Sequence, residues 1–193
     1  MNCTEKTDRT PERWGAAVGP DTTDIVMGLH WDPPEGAPRT IPGPANLDAL
    51  CFLFDVEGRV LEIIHPGRLR TANSSVLHTG DSRTGASIWD DERIFVFLRA
   101  LPDAVDALTF TVVSVDGRAF CDIAAASCHV SNHGTDEVLL DVELTALGRL
   151  THYCVATLVR SATGWRIHRG APHDQNATAL LSMASAPYAA PAP

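Results

Sequence analysis

The chain has 193 residues, with 15 Lys and Arg against 24 Asp and Glu, which gives a formal net charge of −9. Hydrophobic residues make up 45% of the sequence and charged residues 20%, the balance of a folded soluble domain rather than of a disordered or fibrous chain. The excess of acid argues against a nucleic-acid-binding protein, because such proteins carry a basic patch. A solvated surface, a basic partner or a cation site would each account for the acidic charge.

Composition divides the chain into three parts. Residues 1–22 are polar and interrupted by Pro and Gly, which predicts a loose N-terminal leader. Residues 23–170 are the predicted folded domain, and the Ala- and Pro-rich tail at 171–193 is expected to be disordered. No apolar run approaches the roughly 20 residues that span a bilayer, and the N-terminus lacks the apolar core of a signal peptide. With five scattered cysteines, this predicts a cytoplasmic protein with reduced thiols and no direct membrane insertion.

Short apolar segments, many of them alternating or β-branched, follow one another through the domain with turn signals between them. This series predicts an all-β protein, a two-sheet antiparallel β-sandwich with one or two short helical turns. Helical turns are expected at 102–107 and, because of its alanines, at 119–126. The turn of a β-hairpin is expected at 55–58. Strands are predicted at 24–31, 47–56, 59–65, 75–79, 93–100, 107–115, 128–131, 137–144, 151–159 and 165–169.

The most unusual segment is the loop G-D-S-R-T-G-A-S-I-W-D-D-E at 80–92, which ends in three consecutive carboxylates. Like charges in a row repel one another unless something neutralises them. A hard cation such as Ca²⁺ does so, because it takes roughly six to eight oxygen ligands. Asp81 and Glu92 have the spacing of the first and last ligands of an EF-hand, but the positions between them do not carry its ligands. A site here must therefore draw on other loops, and the alternative is a solvated acidic turn.

Other oxygen-bearing side chains are placed so that they could converge with this loop. Asp32 follows a predicted strand and precedes two prolines, so the chain turns sharply there. Asn46 and Asp48 flank Leu47 at the start of the next strand, so their side chains share a face. Each of them taken alone is typical of a turn or a strand end. They contribute to a site only if all lie at one end of the sandwich.

These same segments resemble the tellurium-resistance TerD family. The resemblance is carried by G-L-H-W-D at 28–32, N-L-D-A at 46–49, S-V-L-H-T-G-D-S-R-T-G at 75–85 and D-D-E at 90–92, and it extends over about residues 25–170. It implies a β-sandwich that binds Ca²⁺ through acidic loops at one end, in a non-enzymatic protein of tellurite and general stress resistance. It also implies partners among other stress-response proteins of the same system, in cytoplasmic complexes near the membrane.

Carried over position by position, the resemblance implies metal ligands at Asp32, Asn46, Asp48, Asp81, Asp90, Asp91 and Glu92. The sequence departs from the family pattern at acidic positions: Asn46 replaces an aspartate, and Ala86 and Ile88 stand where the family carries carboxylates. Because Ca²⁺ affinity falls as ligand charge falls, we expect one weakened site, or none. The second hypothesis is a metal-free sandwich that acts as a protein-interaction module, which the lost carboxylates and an exposed Trp89 favour.

His78 lies within the family-like motif and is expected to be a structural hydrogen-bonding residue that positions the loop. A hydrolase that uses His78 with Asp81 is a third hypothesis, but the sequence offers no evident nucleophile for it. Trp31 and Trp165 are expected to be buried. Trp89 stands at a glycine-like position of the family pattern in an acidic loop, and it is expected to be exposed.

Overall fold

The structure is a computed structural model, and it describes residues 18–19, 22–33 and 45–170. Its strands are β1 (Asp24–Asp32), β2 (Leu47–Phe54), β3 (Val60–Ile64), β4 (Val76–His78), β5 (Glu92–Phe97), β6 (Ala107–Ser114), β7 (Ala124–Asn132), β8 (Val138–Glu143), β9 (His152–Ser161) and β10 (Gly164–Arg169). They form two antiparallel five-stranded sheets, with the orders β4-β5-β1-β7-β8 and β10-β9-β6-β2-β3. The predicted all-β sandwich is confirmed, and every predicted strand has a counterpart.

Three one-turn 3₁₀ helices interrupt the strands within the described ranges, at Leu98–Ala100, Phe120–Asp122 and Leu144–Leu147. At 102–107 the structure has one hydrogen-bonded turn, in which Val105 N–H donates to Pro102 O at 2.9 Å, so a turn is correctly predicted there but it is not helical. The next residue does not extend the turn. Asp106 N–H instead donates to Phe54 O at 2.9 Å, which joins the segment to the end of β2.

The helical turn predicted at 119–126 is right only for Phe120–Asp122. The alanines that suggested a helix open strand β7, where Ala124 lies opposite Asp32 of β1. The preference of alanine for helix is a small term per residue, and pairing with a central strand outweighs it. β7 therefore begins earlier than the sequence predicts.

The main core lies between the two sheets and follows from the alternation of side chains along each strand. On β1 the core-facing residues are Ile25, Met27, Leu29 and Trp31. β2 is buried on both faces: alternate residues join the main core, and Leu50, Phe52 and Phe54 join Val113 in a smaller cluster. Trp31 and Trp165 are buried and Trp89 is 71% exposed, so all three tryptophan predictions are confirmed.

The parts of the chain outside the domain are described only in places. Val18, within the predicted leader, packs in the main core and donates its backbone N–H to Trp165 O at 3.0 Å. The rest of 1–22 apart from Gly19 and Thr22, and the whole tail at 171–193, lie outside the described residues, so those predictions stay predictions.

Within the described ranges, no helix is both long enough and apolar enough to cross a bilayer. Buried thiols at Cys51, Cys128 and Cys154 are free, and burial raises the pKa of each. A raised thiol pKa lowers the fraction of reactive thiolate. These cysteines are therefore packing residues.

The segments that carry the predicted ligands lie at one end of the sandwich, because four strand ends meet there. β1 and β4 end at this edge, and β2 and β5 begin there. In the first sheet Leu29 lies opposite Glu92, and His78 lies opposite Ile94, so the loop at 79–91 lies at this end. Side chains of the first sheet contact β2 across the core, which brings the start of the second sheet to the same place.

Candidate cation site

The site is built around the free edge of β2 at Ala49. β3 pairs with β2 only from residue 51 to residue 54, and two side chains from the first sheet take its place at Ala49. Glu92 Oε2 accepts the Ala49 N–H at 2.8 Å, and His78 Nε2 donates to the Ala49 carbonyl at 3.0 Å. His78 Nδ1 accepts the Gly80 N–H at 2.9 Å, so the ring is the tautomer with its hydrogen on Nε2. The predicted hydrogen-bonding role of His78 is confirmed.

Three carboxylates meet beside this edge. Asp48, Asp81 and Glu92 each place one oxygen within 4.8 Å of the other two. Asp48 belongs to the second sheet, whereas Asp81 and Glu92 belong to the loop and the strand of the first, so the triad bridges the two sheets. Ser82 N–H donates to Glu92 Oε1 at 3.1 Å, which holds the loop against the triad. Arg83 Nε donates to Asp81 Oδ2 at 2.8 Å from the solvent side.

Burial and repulsion act together on Asp48. Asp48 is buried, with only 4% of its surface exposed. Burial, and then the charges of Glu92 and Asp81, raise its pKa from 3.8 to about 7. Asp48 Oδ1 and Asn46 Oδ1 are both buried and accept no hydrogen bond from the described residues. Buried acceptors without partners are rare and costly, so each of them requires an explanation.

A hard cation would give such an acceptor a partner, and the donor set fits Ca²⁺. The three converging donors are carboxylate oxygens, which hard cations such as Ca²⁺ prefer. A thiophilic or imidazole-bound metal fits poorly, because both ring nitrogens of His78 are engaged with the backbone. Glu92 already accepts one N–H on each oxygen, but every carboxylate oxygen has a second lone pair. The residues that would hold the ion are Asp48, Asp81 and Glu92.

Asp91 lies outside the triad and organises the loop instead. Its side chain is fully buried. Its Oδ2 accepts the Trp31 N–H at 3.1 Å, and its Oδ1 accepts the Ser87 N–H at 3.1 Å and the Ser82 hydroxyl at 3.4 Å. His30 Nδ1 lies 3.2 Å from Oδ2. These contacts tie the loop to the end of β1, which is a positioning role.

Asp90 and Asp32 also lie outside the triad. Asp90 is paired with Arg93 at 2.7 Å, and its second oxygen lies 3.7 Å from His129 Nδ1. Asp32 is half exposed, and its Oδ1 lies 3.5 Å from His30 Nε2. The structure therefore brings three of the seven predicted ligand residues, Asp48, Asp81 and Glu92, together in one triad. Asn46 lies two residues before Asp48 in the chain, and Asp32, Asp90 and Asp91 have other neighbours.

Sequence reasoning missed two groups of residues that shape this site. The first is the basic pair Arg83 and Arg93, which form ion pairs with Asp81 and Asp90. Arg83 follows Asp81 by two residues and Arg93 follows Asp90 by three, so the sequence spacing could have indicated these ion pairs. The second is Gly85, which has a φ of +59° and where a Cβ would lie 2.4 Å from the Trp31 ring. Only glycine fits this approach of the loop to the buried indole.

The architecture and the site together define a class: a two-sheet antiparallel β-sandwich with an oxygen-lined candidate cation site at one end. A family model described as the TerD domain matches residues 16–177. This chain belongs to the TerD family, and the resemblance noted from its motifs is confirmed.

Named relatives of the chain agree with its assignment to the TerD family. The chain is 36% identical over 148 residues to tellurium resistance protein TerZ of Serratia marcescens, covering 74% of this chain and 76% of that protein. It is 31% identical over 136 residues to general stress protein 16U of Bacillus subtilis (strain 168), covering 66% and 68% respectively. A crystal structure of a homologue of telluride resistance protein (TerD) from Streptomyces coelicolor A3(2) matches with a TM-score of 0.69 at 22% identity, covering 86% of this chain and 99% of that one. The last match supports the fold.

Proposed function

We propose that this protein is a non-enzymatic stress-resistance protein, of the tellurite and general stress type, that binds Ca²⁺ between Asp48, Asp81 and Glu92. The observation that carries the proposal is the buried Asp48 Oδ1, which accepts no hydrogen bond from the described residues, at a place where three carboxylates approach within 4.8 Å. A divalent cation neutralises the repulsion that raises the pKa of Asp48 and gives this oxygen a partner. Because Asn46 replaces an aspartate of the family pattern, the affinity is lower than a fully acidic site would give.

We further propose that it works in the cytoplasm with other stress-response proteins of the same system, some of them at the membrane. Nucleic acid is not among the proposed partners, because a net charge of −9 repels a polyanion. Membrane insertion is not part of the proposal either. The names of the relatives support the stress role, and the acidic surface supports partners that present basic groups.

Calorimetric titration with Ca²⁺, with Mg²⁺ as the comparison ion, tests the cation site. Asp81→Asn is the informative variant, because Asp81 pairs only with the exposed Arg83 and its loss costs about 1 kcal/mol or less. Wild type should bind Ca²⁺ and gain about 2.7 kcal/mol of stability at a concentration of about 100 times Kd. That gain corresponds to a rise in Tm of roughly 5 to 11 °C.

Asp81→Asn should lose the heat and the Tm rise, whereas Asp103→Asn, at an exposed carboxylate remote from the triad, should retain both. If wild type shows neither heat nor a Tm rise at millimolar Ca²⁺, calcium binding is refuted. If binding survives Asp81→Asn, the ion lies elsewhere.

The second candidate is a metal-free interaction module of the same fold. It is favoured by one observation, the replacement of family carboxylates near Trp89 by apolar residues such as Ile88, which leaves two large side chains exposed. A null calorimetric result combined with specific binding of a partner would select this alternative.

A further inference from the structure

Ile88 and Trp89 form an exposed apolar pair beside the cation site. Ile88 is 88% exposed and Trp89 is 71% exposed. Of the large hydrophobic side chains exposed in the described ranges, these are the two that adjoin in the sequence. An exposed single apolar residue is ordinary, but a Trp next to an Ile on one loop is typical of a binding contact, since Trp is enriched at interface hot spots.

The backbone that carries the pair is held rigidly. Trp89 N–H donates to Ser87 Oγ at 3.1 Å, and His30 Nδ1 lies 2.9 Å from Trp89 O, where it donates. Ser87 N–H donates in turn to the buried Asp91 at 3.1 Å. Ile88 therefore projects from a segment that is fixed on both sides. Little conformational entropy is lost when such a segment binds, because its backbone is already ordered.

The surroundings of the pair are acidic. Trp89 lines an open cleft of about 400 Å³ together with Asp81, Asp90 and polar loop residues. The cleft is lined by the carboxylates of Asp81, Asp90 and Asp91 and by one guanidinium group, that of Arg93, while Arg83 pairs with Asp81 from the solvent side. A basic side chain that enters the cleft meets carboxylates, which attract cations, and lies beside the Trp89 side chain. The apolar pair next to it suits an aliphatic neighbour.

A bilayer matches this surface poorly. An anionic headgroup layer is repelled by the excess of carboxylates. Two apolar side chains also bury less hydrocarbon than a single acyl chain, which by itself binds membranes only marginally. A protein segment that combines basic and aliphatic residues matches both the charge and the apolar contact.

We propose that the Ile88–Trp89 loop and the adjoining acidic cleft dock a basic, aliphatic peptide segment of a partner protein. The aliphatic residues of the segment pack on Ile88 and Trp89, and a Lys or Arg enters the cleft beside Asp81 and Asp90. The inference rests on the interaction role within the proposed function and requires no bound cation.

A labelled peptide of lysine and leucine, titrated in EDTA and followed by fluorescence anisotropy, tests the proposal. The peptide should bind wild type, and the double variant Ile88→Ser, Trp89→Ala should weaken binding at least about tenfold, the loss expected for hot-spot residues. Val56→Ser is the matched control, because Val56 is 76% exposed in the β2–β3 turn at the opposite end of the sandwich. It should bind as wild type does.

Two comparison probes test whether the surface prefers a basic peptide to an acidic peptide and to a membrane. A peptide with glutamate in place of lysine should bind at least about tenfold more weakly, and vesicles of phosphatidylglycerol should not bind. Equal binding by the double variant, equal binding of the glutamate peptide, or a preference for the vesicles would each overturn the proposal. Because the titration is done in EDTA, a failure of calcium binding leaves this result unaffected, and the two proposals fail separately.

Discussion

Replacement of Asp48 by Asn tests the electrostatics of the site most directly. The substitution keeps the shape of the side chain and removes its charge. In wild type the charge is buried, close to Glu92 and Asp81, and Asp48 Oδ1 accepts no hydrogen bond from the described residues. Without a cation, Asp48→Asn should therefore be more stable than wild type at alkaline pH, whereas most substitutions of buried residues destabilise.

The magnitude follows from the pKa of Asp48, which rises from 3.8 to about 7 in the folded protein. Because the folded pKa is raised, the native state keeps a proton that the unfolded state loses, so stability falls as the pH rises between about 4 and 7. Each pH unit in that window costs about 1.4 kcal/mol, which sums to an upper value on the order of 4 kcal/mol. Asp48→Asn should recover about 2 to 4 kcal/mol at pH 8, a Tm increase of roughly 4 to 16 °C.

Urea denaturation in EDTA, followed by circular dichroism at pH 5 and pH 8, measures this difference. At pH 5 native wild type holds the proton, so the advantage of Asp48→Asn should shrink by about 2 to 3 kcal/mol. Asp103→Asn, at an exposed position, should match wild type at both pH values. A variant less stable than wild type at pH 8, or an advantage that does not change with pH, would refute the account of Asp48 as an uncompensated buried carboxylate.

Three further substitutions test the contacts around the triad. Glu92→Gln leaves one buried N–H, at Ala49 or in the loop, without its acceptor, and urea denaturation should show a loss of about 1 to 3 kcal/mol as well as the loss of Ca²⁺ binding. Gly85→Ala places a Cβ 2.4 Å from the Trp31 ring at a φ of +59°, so thermal melts should show a loss of at least about 1 to 3 kcal/mol. Asp91→Asn turns an amide toward the Trp31 N–H or the loop N–H groups; it should destabilise by about 1 to 3 kcal/mol, and an unchanged Tm would contradict its positioning role.

The sandwich could be predicted from the sequence because alternation and turn residues are local signals. Each of the ten strands corresponds to such a segment, and the D-V-E-G turn at 55–58 forms as expected, with Asp55 accepting the Arg59 N–H at 2.8 Å. The errors at 102–107 and 119–126 share a cause. In both segments the free energy of the local helical preference is small compared with that of contacts to distant strands. The first segment bonds to Phe54, and the second pairs with β1 at Asp32.

The sequence indicates where the candidate site lies, but it does not indicate which role each carboxylate has. The spacing places Asp90, Asp91 and Glu92 in one loop, and all three are equivalent as sequence letters. The structure separates them, because only Glu92 belongs to strand β5, whereas Asp90 and Asp91 precede the strand. Asp90 turns outward to Arg93, Asp91 holds the loop, and Glu92 turns into the sandwich toward Ala49. Which carboxylate lies close to Asp48 depends on how the two sheets pack against each other, and a local sequence pattern does not contain this information.

Glu92 links the candidate site to the stability of the sandwich. It fills the place of a missing strand beside β2 and belongs at the same time to a triad whose other members come from both sheets. A cation at the triad would engage lone pairs that the N–H groups of Ala49 and Ser82 leave unused, so binding and closure of the β2 edge would reinforce each other. Burial and the charges of Glu92 and Asp81 raise the pKa of Asp48. The repulsion within the triad is therefore relieved either when Asp48 takes up a proton or when a cation binds, and competition between the two is what a titration of the site would measure.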